Sequence, residues 1–171
     1  MSDVLLTFYG DDFTGSADLV MQYERFGLSG LIFLGSPGVA ELEAAAADHA
    51  VVGIAGVTRA AAPAEISGMI APAFEALAAL DPRYLQYKVC STADSSPKIG
   101  SFAPAIQRGR ELFGAVPVPV LVAQPKLGRY TAFSNHFAVY RNEVYRLDRQ
   151  PVMSNHPTTP MREADLRLHV Q

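Results

Sequence analysis

The run Gly10-Asp11-Asp12-Phe13-Thr14-Gly15-Ser16 sets two carboxylates and two hydroxyls between and beside glycines. The glycines permit a tight or left-handed turn. A helix starting here aims free N–H groups and its positive dipole end at whatever lies in front of it. Thr14 or Ser16 can offer a hydroxyl, and Gly15 an unobstructed backbone. Asp11 and Asp12 can bind sugar hydroxyls, accept a proton from one, or hold Mg²⁺. The plain alternative is that one Asp, or Thr14, caps the helix.

A second run, Lys88 to Pro97, brings Ser91, Thr92, Asp94, Ser95 and Ser96 behind one lysine. Lys88 can neutralise a carboxylate or phosphate as a point charge; the alternative is an ordinary capping loop. A third run spans Arg146-Leu147-Asp148-Arg149 and Ser154 to Pro160. Its arginines, Arg146 first, can fork a carboxylate, and His156 can move a proton. His49, His136 and His169 show no ligand spacing and read as structural. Gly128-Arg129-Tyr130-Thr131 can add to the same rim.

These runs need a scaffold. Apolar strands are expected at Val4–Tyr9, Leu31–Leu34, Val51–Ala55, Tyr84–Val89 and Val118–Ala123. Helices are expected between them: about Thr14–Arg25, an alanine-rich stretch after Gly38, Pro63–Leu80, and one striped by Ile99, Phe102, Ala103 and Ile106. Pro63 suits a first helical turn, whereas Pro72 should kink or break the third helix. Such alternation predicts an α/β, Rossmann-like, mostly parallel sheet with helices on both faces. A C-terminal β-hairpin turning at Arg141-Asn142 and a loop complete it, with a last helix from near Pro160 capped by Thr159. In a parallel sheet, ligands bind beyond the carboxyl ends of strands, and all three clusters are expected there.

With 171 residues, 49% of them apolar, the chain fits one domain with a sizeable core. No apolar run approaches the roughly 20 residues of a membrane span, and the N-terminus lacks the basic start of a signal peptide. A cytoplasmic location is the default expectation. The net charge of −3 with scattered basic residues gives no footprint for nucleic acid. The single cysteine, Cys90, excludes an internal disulfide and reads as a small core residue. Phosphate-loop, dinucleotide, nucleophile-elbow and histidine-rich metal patterns are all missing, so no metal ligands are assigned. The chain stops at Gln171 with nothing to close its last helix, which suggests an incomplete polypeptide.

The stretches GDDFTGSADL (Gly10–Leu19), YKVCSTADSSPKIGS (Tyr87–Ser101), GRYTAF (Gly128–Phe133) and VYRLDRQPVMSNHPTTPMREADLR (Val144–Arg167) closely resemble the four-carbon acid sugar kinases. That family, once known only as one of unknown function, includes 3-oxo-tetronate, D-threonate and D-erythronate kinases. The terminal runs look most like the 3-oxo-tetronate branch. Departures stand at Gln150 (His expected), Ala93 (a bulkier residue), Ser134 (Gly) and Asn155 (a basic residue).

The resemblance implies an N-terminal domain that binds the acid sugar and a C-terminal domain that binds ATP and Mg²⁺. This chain matches the first, over residues 1–171, and is expected to be inactive alone. Asp12, or else Asp11, would orient or deprotonate the sugar's terminal hydroxyl. Lys88 and Arg146 would meet the substrate carboxylate or the migrating phosphoryl group. Thr14, Gly15, Ser16, Ser91, Thr92, Asp94, Ser95 and His156 would complete the substrate site. The partners implied are the small acid sugar and ATP, with neither nucleic acid nor membrane; a homodimer is left open. The competing reading is a non-catalytic metabolite-binding or interaction protein, since some relatives have carried a type III effector label. A phosphate-binding hydrolase using the Asp pair is a third.

Overall fold

The computed structural model describes residues 4–170. Four parallel strands, β1 (Leu6–Gly10), β2 (Gly30–Leu34), β3 (Val51–Ala55) and β4 (Tyr84–Lys88), form one sheet in the order β2-β3-β1-β4. Three helices cover it: α1 (Phe13–Arg25) on one face, and α2 (Val39–Asp48) and α3 (Pro63–Ala78) on the other.

The strand pleat explains the division. Leu6 and Phe8 of β1 pack with Val20 of α1 and Val51 of β3. Tyr9, Val52 and Ile54 face Leu42 of α2 and Ile66, Ile70, Phe74 and Leu77 of α3. The central strands β1 and β3 are therefore buried at every position, as two-sided cover demands. The flanking β2 and β4 are only half-buried. Gly53 is required beside Phe8, because a Cβ there would overlap the aromatic ring.

Helix α3 continues through Pro72 rather than ending there. The carbonyl that Pro72 cannot bond belongs to Gly68, and both residues lie on the exposed side. Water can serve that carbonyl, which removes most of the cost of the lost bond. At the start of α3, Pro63 stands at N1 and the Glu65 carboxylate accepts the Ala62 N–H at 2.9 Å.

The next helix, α4 (Ala103–Phe113), begins after Ile99 and Phe102, so the expected stripe straddles its start. The expected strand at Val118–Ala123 does not form. Pro117 and Pro119 supply no N–H to a ladder, and Val118, Val120 and Leu121 stay exposed. Only Val122 of that stretch is buried, in a second core with Phe102, Leu147, Met153, Met161 and Leu166.

That second core sits with a separate antiparallel sheet of β5 (Arg129–Ala132), β6 (Asn135–Tyr140) and β7 (Glu143–Arg146). The β6–β7 hairpin turns at Arg141-Asn142 as expected, with φ of +48° and +67°. Both values suit the two-residue turns whose twist matches a hairpin. The β5–β6 turn repeats the geometry at Phe133 and Ser134, φ +50° and +63°. Ser134 thus occupies a left-handed position, which accounts for the glycine expected there.

The last helix, α5, is only Leu166–His169 and is capped by Asp165, not by Thr159. Thr159 is instead fully buried, and its N–H and hydroxyl both meet Nδ1 of His156 at 3.0 Å. No helix among the described residues is long and apolar enough to cross a membrane.

Candidate functional site

The carboxyl ends of β1, β3 and β4 come together where the chain reverses its direction across the sheet. The connection from β1 to β2 passes along one face through α1. The connection from β3 to β4 passes over β1 along the other, through α3. This is the crevice in which open parallel sheets bind ligands.

From the end of β1, Asp12 caps α1: its Oδ1 accepts the Gly15 N–H at 2.9 Å. The capping reading of this residue is therefore correct, and it leaves Oδ2 without a donor among the described residues. Ser16 is buried, and its hydroxyl donates to the Asp12 carbonyl at 2.6 Å. Gly10 must lack a side chain, since a Cβ would overlap Ser16 Oγ. A Cβ on Gly15 would press on Asp12 Oδ1 at 2.6 Å and stand 3.1 Å from Lys88 Nζ. Thr14 is exposed.

Asp11 is 3% exposed. Burial pushes its carboxyl above the usual range, and Arg59 partly opposes that shift. Arg59 lies in a short 3₁₀ turn, Thr58–Ala60, just past β3, and was absent from the residues singled out by sequence. Its Nη2 donates to Asp11 Oδ1 at 3.0 Å and its Nε to Asp11 Oδ2 at 3.3 Å. The same Nη2 lies 2.9 Å from Asp12 Oδ1, and Nε lies 3.8 Å from Asp94 Oδ2. Burial works against its charge, but the hydrogen bonds and charge of Asp11 outweigh that and hold the guanidinium firmly protonated.

From β4, Lys88 donates to the Val89 carbonyl at 2.7 Å and forms no ion pair among the described residues. In the loop that follows, the Thr92 hydroxyl donates to Asp94 Oδ1 at 2.8 Å. Cys90 Sγ lies 3.0 Å from Thr92 Oγ1; this cysteine is half-buried on the loop, not a core residue. Buried Ser95 Oγ has no hydrogen-bond partner among the described residues. Ala93 is fully buried at φ +50°.

Beneath the site, Tyr9 and Tyr87 stack with ring centroids 6.1 Å apart. Tyr87 Oη meets Thr58 Oγ1 at 2.7 Å, and burial pushes both phenols up.

The loop is held from its other side by the small sheet. His136, fully buried on β6, places Nε2 2.7 Å from the Ser91 carbonyl and Nδ1 2.9 Å from Thr131 Oγ1. The carbonyl can only accept, so Nε2 carries the proton and Nδ1 accepts from Thr131. Burial lowers the pKa of His136, and the bond to Ser91 opposes this in part. The unfolded chain, with His near 6.5, therefore binds more protons as the medium is acidified. The stability due to His136 is complete above 6.5 and is lost as pH falls below it toward the lower pKa of the folded state. The melting temperature should drop between about pH 7 and pH 5, and His136→Asn should flatten that limb; an unchanged slope in the variant would refute the assignment.

The third cluster keeps to itself. Arg146 pairs with Asp148 at 2.7 Å and with Glu163 at 3.4 Å, and His156 serves Thr159. Gln150 is buried, and its Oε1 accepts from Val152 and Met153 N–H groups at 2.7 and 2.6 Å. These contacts join none of the three to Asp11, Asp12 or Lys88.

The space between Asp11, Asp12 and Asp94 is taken by Arg59. Among the described residues, no three His, Cys, Asp or Glu side chains are grouped to hold a metal. With Arg59 between them, these carboxylates offer no three-ligand cage for a resident metal ion among the described residues. They fit a polar, hydroxyl-bearing ligand held by carboxylates, with one lysine for an anionic end.

Residues 6–171 match the model of a family described as the sugar-binding N-terminal domain. The chain is 44% identical over 167 residues to a 3-oxo-isoapionate kinase of Paraburkholderia graminis, covering 98% of this chain and 35% of that protein. It is 32% identical over 165 residues to a 3-oxo-tetronate kinase of Burkholderia multivorans, covering 95% and 36%. The chain thus spans about a third of the curated relatives it matches. Its fold is shared with a Salmonella typhimurium protein (TM-score 0.82, 22% identity, 97% of this chain and 38% of that one). It is shared also with a domain of unknown function from Bordetella bronchiseptica (TM-score 0.76, 22% identity, 98% and 40%). This chain belongs to the sugar-binding N-terminal domain family.

Proposed function

We propose that this domain is the acceptor half of a phosphotransferase acting on a 3-oxo sugar acid. The observation that carries the reading is the meeting of Asp11, Asp12, Arg59, Lys88 and Asp94 at three strand ends. Carboxylates at such a site accept hydrogen bonds from sugar hydroxyls, and Lys88 has no carboxylate partner among the described residues. The acid sugar would lie with its carboxylate at Lys88 and its terminal hydroxyl at Asp12. Asp12 Oδ2 would accept the hydroxyl proton as that oxygen takes the γ-phosphoryl group of ATP and ADP departs, a reaction in which positioning and charge supply most of the catalysis. ATP and Mg²⁺ would be held mainly by a further part of the enzyme.

Both of these relatives are named for 3-oxo acids. The higher identity, 44% against 32%, favours 3-oxo-isoapionate over the four-carbon 3-oxo-tetronate as acceptor. Calorimetric titration of the chain with the two acids and a neutral tetrose tests this. Saturable binding of the acids is expected, tighter for 3-oxo-isoapionate, with the neutral sugar at least about tenfold weaker for want of the charge that meets Lys88. No binding of either acid would overturn the reading.

A further inference from the structure

We infer that Arg59 is a positioning residue of the acceptor site, which sets the carboxylate of Asp12 by gathering three strand ends around one guanidinium. The inference rests on the acceptor-site reading above.

The arrangement is specific to arginine. Nε and Nη2 fork both oxygens of Asp11 at 3.3 and 3.0 Å, a geometry that a single ammonium cannot reproduce. The pairing is doubled in the backbone, where the Arg59 N–H donates to the Asp11 carbonyl at 3.2 Å. Asp11 is fixed in turn, since its N–H donates to the Lys88 carbonyl at 2.9 Å. Gly100 packs the other side at φ +67°: a Cβ there would stand 2.8 Å from the Arg59 carbonyl and 2.7 Å from that of Asp94. Arg59 is therefore wedged between β1 and the loop after β4.

What it holds is one oxygen of Asp12. Oδ1 lies 2.9 Å from Arg59 Nη2 and also takes the Gly15 N–H at 2.9 Å. One N–H donor and one close guanidinium on the same oxygen hold the carboxylate and so the place of Oδ2, the oxygen left for the acceptor hydroxyl. Arg59 touches Asp12 and not the acceptor in this scheme, and its effect is felt through the geometry of that oxygen.

The test couples the ligand's hydroxyl to the arginine. The chain and its Arg59→Lys variant are titrated with a 3-oxo sugar acid and with the same acid lacking its terminal hydroxyl. In the parent, loss of that hydroxyl should weaken binding about tenfold or more, the worth of a hydrogen bond to a charged group. In Arg59→Lys, a cooperative thermal melt should persist, the intact acid should bind about tenfold more weakly, and the two ligands should become nearly equal. Because removing one member of a buried pair can prevent folding, Asp11→Asn/Arg59→Gln, which removes both charges together, is measured alongside with the same expectation. Folded variants that keep full discrimination, or that weaken both ligands equally, would overturn the positioning role. Failure of the parent chain to bind either acid would overturn the acceptor-site reading itself.

Discussion

Replacing Asp12 with Asn in the catalytically competent enzyme is expected to lower kcat by about 10²- to 10⁴-fold, the usual contribution of a general base. The fold should survive. Asn is as good an N-cap as Asp, and its side-chain oxygen can still accept the Gly15 N–H that Asp12 accepts now. The ion pair to Arg59 is lost, but the Asp12 side chain is 25% exposed and Arg59 retains its fork on Asp11. What disappears is an oxygen able to take a proton. Steady-state kinetics beside a thermal melt separate the two effects: turnover should collapse while the melting temperature moves by only a few degrees. Near-normal turnover would remove Asp12 from the mechanism.

Phe74→Ala should produce the largest loss of stability, about 3–5 kcal/mol, as for other buried aromatic truncations. Phe74 is 1% exposed on α3. Its ring meets Tyr9 edge-on at 6.4 Å and Tyr87 at 6.2 Å. At this chain length such a loss lowers the melting temperature by roughly 10 °C. The effect should reach the site, because Tyr87 is the hydrogen-bond partner of Thr58, the residue before Arg59. Denaturant melts give the stability, and titration of the folded variant with acid sugar gives the coupling. A loss below about 1 kcal/mol would mean that the two tyrosines, rather than α3, support this end of the sheet.

Much of the parallel sheet was legible because its central strands are short, apolar and bounded by turn residues. The Gly10–Ser16 turn and the Lys88–Pro97 loop stood out by local composition. Arg59 did not. It sits in Val57-Thr58-Arg59-Ala60-Ala61, among alanines and without a motif. The rule that drew attention to the ends of the first and fourth strands applies equally to the third, and would have found it. Val118–Ala123 misled in the opposite sense: its apolar content reads as a strand, while the alternating prolines that forbid a ladder carry less weight in such a reading. Thr159 was read as a cap from its type alone, although His156, three residues earlier, competes for it. Such competition is settled by packing, which local sequence does not report.

The hydrogen bond from His136 to Ser91 divides responsibility within the domain. The parallel sheet fixes the charged groups, whereas the contour of the loop carrying Thr92, Asp94 and Ser95 leans on a hairpin 45 residues further along the chain. Changes in that hairpin can therefore reshape the loop while the fork of Arg59 on Asp11 stays in place. One scaffold can diversify its choice of ligand through a sheet that holds none of those charges.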